Sequence, residues 1–174
     1  MGEIIFIVGG ARSGKSTLAA GIAKKHDKAA VIATGEPKDC EMKARIAKHR
    51  KNRPSNWKTI EEPVDIASAL DKTGDKFACV LIDCLTLWIS NMMGKGYHDK
   101  RITAEAKSLL RTARKKKSLT ILVSNEVGLG IVPENKMARD FRDTAGIVNQ
   151  LTARQADKVY FTVSGIPLLI KGAS

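Results

Sequence analysis

Continuous apolar runs recur along the chain, and each has the length of a β-strand. The predicted strands cover residues 3–10, 29–34, 77–85, 119–127 and 158–165, and a final edge strand is predicted at 167–171. Most of these runs are apolar throughout rather than alternating between apolar and polar positions. This pattern indicates strands that are buried on both faces, as in a parallel sheet covered by helices.

Helical patterns occupy the stretches between these strands. One predicted helix follows Gly14. Three more are predicted at about residues 39–52, 103–117 and 135–156. Alternation of strands and helices predicts an α/β fold, which we assign to a single catalytic domain, residues 1–174. The glycine-bearing segment MGKGYHDK, residues 93–100, is predicted to be a mobile loop within that domain.

The charge balance narrows the choice of partners. The chain of 174 residues carries a formal net charge of +12, which favours nucleotides, phosphorylated substrates or nucleic acid as ligands. The basic clusters at 49–53 and 111–117 are also what solvated helix faces would show. Aromatic residues make up only 5%, so stacking platforms for single-stranded nucleic acid are scarce.

Compartment and membrane signals are weak. No apolar run reaches about 18 residues, which predicts that the chain has no membrane span. The apolar N-terminal run follows an acidic residue and precedes glycines, so it is predicted to be a buried strand rather than a signal peptide. Cys40, Cys79 and Cys84 form no C-x-x-C motif, which indicates reduced thiols in a cytoplasmic protein.

The segment GGARSGKS after the first strand matches the P-loop pattern G-x-x-x-x-G-K-[ST]. Glycines let the backbone N–H groups converge on phosphate oxygens, and the following helix adds the positive end of its dipole. Lys15 would contact the β- and γ-phosphates, and Ser16 would bind Mg²⁺. The predicted nucleotide-binding residues of this loop are Gly9, Gly10, Ala11, Arg12, Ser13, Gly14, Lys15 and Ser16.

Asp83 ends the apolar run VLID and is the second predicted metal ligand. A carboxylate at the end of a strand near a P-loop commonly holds Mg²⁺, directly or through water. An Asp that starts a turn or caps a helix would show the same pattern.

The P-loop leaves the reaction class open, since kinases, GTPases and recombination-type ATPases all use it. The guanine-reading N-K-x-D motif does not occur.

Three further segments carry a resemblance to a known family. They are DCEMKARIAKHRKNRP (39–54), SNEVGLGIVPENKMARDFRDTAGIVNQ (124–150) and DKVYFTVSGIPLLIK (157–171). Together with GGARSGKS, they resemble the bifunctional adenosylcobinamide kinase / adenosylcobinamide-phosphate guanylyltransferase of cobalamin assembly. The resemblance runs in order over essentially the whole chain.

The resemblance implies a P-loop fold related to recombination-type ATPases, a homotrimer, and two reactions that use ATP, GTP and Mg²⁺. A nucleoside triphosphate first phosphorylates the aminopropanol hydroxyl of adenosylcobinamide. GTP then gives its GMP part to the adenosylcobinamide phosphate, through a guanylylated histidine that corresponds to His49. No nucleic acid is expected as a partner. Two other hypotheses stay open: a nucleic-acid-stimulated recombination-type ATPase, and a guanylyltransferase that lacks the kinase step.

His49 also has a structural interpretation, because Met42, Ile46 and His49 would share one helical face. Glu126 is predicted to bind metal or to activate the attacking hydroxyl, although a hydrogen bond to the following glycine-rich turn would explain it as well. Glu61 is predicted to contact the nucleotide.

Three other residues or pairs have open roles. Arg12 is predicted to contact phosphate or to face solvent. Glu41 is predicted either to share the broad helical face of His49, about two turns away, or to pair with Arg45 one turn later. Arg139 and Arg142 are predicted to bind phosphate or to form salt bridges along one helical face.

Overall fold

The computed structural model describes residues 1–51 and 53–173. Strands and helices alternate along most of the chain, and the elements are β1 (Ile4–Gly9), α1 (Lys15–Ala23), β2 (Ala29–Ala33), α2 (Cys40–Lys51), β3 (Lys58–Glu61), α3 (Ile66–Lys72), β4 (Cys79–Asp83), α4 (Leu85–Gly94), α5 (Asp99–Lys115), β5 (Leu119–Asn125), α6 (Lys136–Gln155), β6 (Lys158–Val163) and β7 (Ile166–Lys171). Residue 52, at the end of the second predicted helix, lies outside the described residues.

The strands form one seven-stranded sheet in the order β3-β2-β4-β5-β1-β6-β7. All neighbouring pairs are parallel except β6 and β7, which are antiparallel. The predicted α/β fold with a mostly parallel sheet and a C-terminal edge strand is therefore confirmed. Carboxyl ends of parallel strands lie at one edge of a sheet, so the ends of β1, β4 and β5 meet there.

Both faces of the sheet are covered, as the apolar runs predicted. In β1, Ile4, Phe6 and Val8 belong to one core cluster, which includes side chains of α3 to α6. Ile5 and Ile7 belong to the other cluster, which includes side chains of α1. Successive side chains of a strand point to opposite faces, so an unbroken apolar run is what two covered faces require.

Several local predictions need correction. Segment 93–100 is not an eight-residue loop, because α4 ends at Gly94 and α5 begins at Asp99, which leaves only residues 95–98 between them. The sequence patterns also missed β3, α3 and α4. Strand β3 is short and no residue in it is fully buried. Helix α4 is almost wholly apolar and directly follows the apolar strand β4, so its helical period was hidden.

No helix in the described part of the chain is both long enough and apolar enough to cross a membrane.

Candidate active site

The P-loop connects β1 to α1 and is held by the last two strands. Gly14 adopts a left-handed backbone with φ of 98°. A Cβ on Gly9 would lie 2.4 Å from the carbonyl oxygen of Thr162, so only glycine fits beside β6. The Ser13 and Thr162 hydroxyls lie 2.7 Å apart, and Gly165 N–H donates to the Ser13 carbonyl at 3.0 Å. Sequence analysis missed Thr162 and Gly165, because no motif marks a strand that packs against a P-loop.

Lys15 is buried and its ammonium group donates to the Gly10 carbonyl at 2.5 Å. Burial lowers the pKa of Lys15 below its usual value, and the neighbouring Cys84 and Asp83 partly oppose this effect. The ammonium group is thus partnered within its own loop. A phosphate that replaced the Gly10 carbonyl as its partner would form a charge-assisted hydrogen bond.

Asp83 lies one strand away from the P-loop, since β5 separates β4 from β1. Burial raises the pKa of Asp83, against the opposing effects of the His49, Arg53 and Lys15 charges and of a hydrogen bond from Ser16. The two predicted metal ligands, Ser16 and Asp83, are therefore neighbours, since the Ser16 hydroxyl is among the groups that influence the pKa of Asp83. Hydroxyl and carboxylate oxygens are ligands that Mg²⁺ prefers, so these residues fit the ion.

His49 also lies at Asp83. Its Nδ1 atom is 3.7 Å from Oδ2 of Asp83, and its side chain is 51% exposed. The side chain is thus accessible to a ligand while one ring nitrogen faces a buried carboxylate. The alternative that His49 packs as a rim residue has less support, although Met42 and Ile46 on the same helix are half-buried.

Helix α2, which carries His49, is held by polar contacts. None of its residues is buried. Arg50 forms an ion pair with Glu61 at the end of β3, and Arg53 donates to the Thr59 hydroxyl at 3.3 Å. These contacts place the helix over the edge of the sheet, where Met42 and Ile46 add partly buried apolar side chains. Glu61, predicted to contact nucleotide, has Arg50 as its partner here.

The structure shows the surroundings of two residues whose predicted roles were open, Glu41 and Arg12. Glu41 pairs with Arg45 at 2.9 Å, which confirms the predicted i, i+4 ion pair. Arg12 is exposed and has a positive φ of 56°. Its side chain therefore faces solvent in this conformation, beside the loop that would hold phosphate.

Glu126 follows β5 directly at the P-loop. Its backbone N–H donates to the Gly9 carbonyl at 2.9 Å, and its carboxylate accepts from Gly128 N–H at 2.7 Å. The predicted hydrogen bond to the glycine-rich turn is thus present. A role for Glu126 in metal binding or proton transfer remains a prediction.

Arg139 and Arg142 hold the loop between β5 and α6. Arg139 donates to the Pro133 carbonyl at 3.0 Å and also to the Glu134 carbonyl, and Arg142 donates to the Gly128 carbonyl at 2.6 Å. Neither forms a salt bridge within the described residues. The predicted salt bridges for these two residues are therefore wrong, and backbone carbonyls are their partners.

Asn125 ends β5, at the edge of the sheet where the P-loop and Asp83 lie. Its backbone N–H and side-chain amide both donate to the Thr86 hydroxyl, at 3.2 and 2.9 Å. It thereby ties the end of β5 to the start of α4, just beyond Asp83. The residue between the P-loop strand and the Asp83 strand is thus fixed in place.

Comparisons with known proteins agree with this geometry. The family model described as cobinamide kinase / cobinamide phosphate guanyltransferase matches residues 5–170. The bifunctional adenosylcobalamin biosynthesis protein CobP of Pseudomonas aeruginosa is 42% identical over 167 residues, covering 95% of this chain and 96% of that protein. The bifunctional adenosylcobalamin biosynthesis protein CobU of Escherichia coli K12 is 38% identical, covering 97% of this chain and 99% of that protein.

Solved structures support the fold alone. The RadB recombinase is 18% identical with a TM-score of 0.51, covering 91% of this chain and 73% of that chain. A KaiC-like protein from Pyrococcus horikoshii OT3 is 13% identical with a TM-score of 0.54, covering 91% and 70%. These likenesses confirm the predicted recombination-ATPase-like fold. By its family match and its two bacterial relatives, the chain belongs to the cobinamide kinase / cobinamide phosphate guanyltransferase family.

Proposed function

We propose that this protein phosphorylates adenosylcobinamide with ATP or GTP and then transfers GMP from GTP to the product through a phosphoramidate on His49. The observation that carries the proposal is the contact of His49 with Asp83 beside the P-loop. It places a solvent-accessible imidazole at the edge of the sheet where the triphosphate would bind. We assign both reactions to this one catalytic domain.

In the kinase step, the hydroxyl oxygen of the aminopropanol arm attacks the γ-phosphorus, and the bond from that phosphorus to the β-γ bridging oxygen breaks. The P-loop N–H groups and Lys15 bind the phosphates and stabilise the charge that develops on the leaving diphosphate. The hydroxyl gives up its proton, and Glu126 is our candidate acceptor. Its carboxylate would have to leave the Gly128 N–H that it now binds.

In the transfer step, Nε2 of His49 attacks the α-phosphorus of GTP and pyrophosphate leaves. With its proton on Nδ1, the ring would carry the free electron pair on Nε2, and Asp83, 3.7 Å from Nδ1, would stabilise the positive charge that develops on the ring. A phosphate oxygen of adenosylcobinamide phosphate then attacks the same phosphorus, the P–N bond breaks, and His49 is restored. Mg²⁺ held by Ser16 and Asp83 would supply charge neutralisation on the phosphate oxygens.

Other assignments extend this proposal. We propose a homotrimer, supported by the apolar side chains that edge strand β7 exposes at Ile166, Leu168 and Ile170. We also propose a cytoplasmic location, GTP and ATP as nucleotides, and nucleotide contacts from Arg12 and Glu61. The proposal includes no nucleic-acid partner.

Covalent labelling tests the proposal. The protein is incubated with Mg²⁺ and GTP labelled at the α-phosphate, and the wild type is expected to retain an acid-labile, base-stable label. His49→Ala should retain none, while His26→Ala and His98→Ala should label like the wild type. Equal labelling of His49→Ala and the wild type would refute the covalent mechanism.

Separate assays of adenosylcobinamide and of its phosphate test whether both steps occur. If only adenosylcobinamide phosphate is converted, the protein is a guanylyltransferase that lacks the kinase step.

A second candidate is a nucleic-acid-stimulated ATPase, which the net charge of +12 and the recombinase-like fold favour. It predicts salt-sensitive binding to DNA or RNA. ATP hydrolysis that added polynucleotide leaves unchanged would exclude it.

A further inference from the structure

The loop between β5 and α6, residues 126–135, exposes large apolar side chains to solvent. Leu129 is 80% exposed, Ile131 is 97% exposed and Val132 is 62% exposed. Together these three residues form what we call the apolar loop surface. Single exposed apolar residues are ordinary on a protein, but three within four positions on one loop indicate a binding surface.

This loop is anchored at both ends. At its start, Glu126 N–H donates to the Gly9 carbonyl at 2.9 Å, and the Glu126 carboxylate accepts from Gly128 N–H. Arg142 donates to the Gly128 carbonyl at 2.6 Å, and Arg139 donates to the Pro133 carbonyl at 3.0 Å. Side chains from helix α6 therefore hold the backbone on both sides of the apolar residues. A fixed loop presents its side chains at lower entropic cost than a free one.

The apolar loop surface lies close to the P-loop. Leu129 follows Glu126 by three residues, and a chain spans at most about 3.5 Å per residue, so their Cα atoms lie within about 11 Å of each other. Glu126 itself is bonded to Gly9, the first residue of the P-loop. A ligand on this surface would therefore lie next to the phosphates of a bound nucleotide.

We propose that the apolar loop surface binds the corrin ring of the substrate, an inference that rests on the proposed function. The reacting hydroxyl, and later the phosphate, sits at the end of a short arm of the corrinoid. When that group reaches the P-loop, the bulky ring must remain within an arm's length of it. The P-loop offers only polar groups, whereas hydrocarbon parts of the ring need an apolar surface to leave water.

A second copy of the chain is the competing occupant, and edge strand β7 suits that role better. Strand β7 pairs with β6 on one side only, and it exposes Ile166, Leu168 and Ile170. An edge strand offers unpaired backbone groups as well as apolar side chains to another chain. The loop lies instead beside the P-loop, where a substrate must enter.

The test uses the double variant Leu129→Ser/Ile131→Ser, with Ile147→Ser as the matched control. Ile147 is also exposed, but it lies about three turns into α6 and belongs neither to the apolar loop surface nor to β7. Three quantities are measured on each purified protein: the Kd for adenosylcobinamide by calorimetry, guanylylation by α-labelled GTP without corrinoid, and the mass in solution. Ile131→Ala serves as a milder second variant should the double variant fold poorly.

We expect the double variant to bind adenosylcobinamide about tenfold or more weakly, because its lost apolar contacts no longer favour the ring. Its labelling by GTP and its mass should match the wild type, and Ile147→Ser should bind adenosylcobinamide normally. An unchanged Kd in the double variant overturns the inference, and so does a drop in mass, which would make the loop a subunit contact. Failure of the wild type to label would instead refute the proposed function.

Discussion

Nδ1 of His49 lies 3.7 Å from Oδ2 of Asp83, and the Ser16 hydroxyl of the P-loop is among the groups that influence the pKa of the same carboxylate. One carboxylate thus links the proposed nucleophile to the proposed metal site. The two residues are far apart in sequence and come from a surface helix and a central strand. This link gives Asp83 a part in both proposed reactions.

Asp83→Asn is expected to slow both steps. An amide keeps the shape of the side chain but cannot balance positive charge on the imidazole or bind Mg²⁺ as a carboxylate does. Loss of such a group typically costs roughly 10²–10⁴-fold in rate. Rates of His49 labelling and of adenosylcobinamide phosphorylation are measured separately, with the exposed Asp75→Asn as the control. A normal labelling rate in Asp83→Asn would show that His49 acts without this carboxylate.

Gly9→Ala and Gly10→Ala form a matched pair within the P-loop. A Cβ on Gly9 would lie 2.4 Å from a backbone oxygen of β6, whereas a Cβ on Gly10 would meet no atom within 4 Å. We expect Gly9→Ala to lower the free energy of unfolding by about 1–3 kcal/mol, because the strand must shift to make room. Gly10→Ala should leave it nearly unchanged.

Urea unfolding measures the difference between the two glycine variants, and binding of GTP is compared in parallel. Equal stability of the two variants would mean that β6 yields easily to the added methyl group.

Thr162→Val tests whether β6 fixes the P-loop. The Thr162 hydroxyl lies 2.7 Å from that of Ser13, and both residues are buried. Removing the Thr162 hydroxyl leaves the Ser13 hydroxyl without its hydrogen-bond partner in β6. We expect this to lower the free energy of unfolding by about 1–3 kcal/mol. We also expect weaker GTP binding, because the loop between Gly9 and Gly14 loses a tether.

Thr120→Val is the control for Thr162→Val. The Thr120 hydroxyl is buried and has no hydrogen-bond partner. Its replacement by a methyl group of similar shape should be neutral or stabilising. If both variants unfold alike, the bond between Ser13 and Thr162 contributes nothing measurable.

The sequence predicted the central part of the fold because its strands are apolar on both faces. Strands β1, β2, β4, β5 and β6 all fall within the predicted runs. Strand β3 escaped because a short, half-exposed edge strand carries little apolar signal. Helix α4 was not predicted because it is buried on most sides, which removes the polar face that marks a helix.

The P-loop and the carboxylate at the end of β4 could be predicted from the sequence, because a local pattern of residues defines each of them. The distance from His49 to Asp83 could not be predicted, since it depends on how α2 lies over the sheet. That position is set by contacts between distant segments, such as Arg50 with Glu61. The roles of Arg139 and Arg142 were also hidden, because a hydrogen bond to a backbone carbonyl leaves no mark in the sequence of its acceptor.

Asp157→Asn is expected to destabilise the protein near neutral pH and to have less effect in acid. The Asp157 carboxylate accepts from Arg114 and from Ile4 N–H, and the Arg114 hydrogen bond is the main cause that holds its pKa below the ordinary 3.8. A lowered carboxyl pKa contributes stability above the unfolded value of 3.8, and this contribution is lost as the pH falls through the lower folded value. Because the side chain is partly exposed, we expect at most about 1 kcal/mol.

Thermal unfolding of the wild type and Asp157→Asn at pH 7 and near pH 3 measures this effect. The gap between the two proteins should narrow at the lower pH. A gap that stays constant would mean that packing, rather than charge, accounts for the loss.

Arg50→Ala tests whether the ion pair with Glu61 holds His49 in place. No residue of helix α2 is fully buried, so polar contacts such as this ion pair help to fix its position. An exposed ion pair contributes about 0.2–1 kcal/mol, which corresponds to about 1.4-fold to fivefold slower labelling of His49 by GTP. Phosphorylation of adenosylcobinamide should change little, because that step does not use His49. The charge-swapped double variant Arg50→Glu/Glu61→Arg should recover part of the labelling rate. If the swap labels no faster than Arg50→Ala, Arg50 acts on the nucleotide itself and not through Glu61.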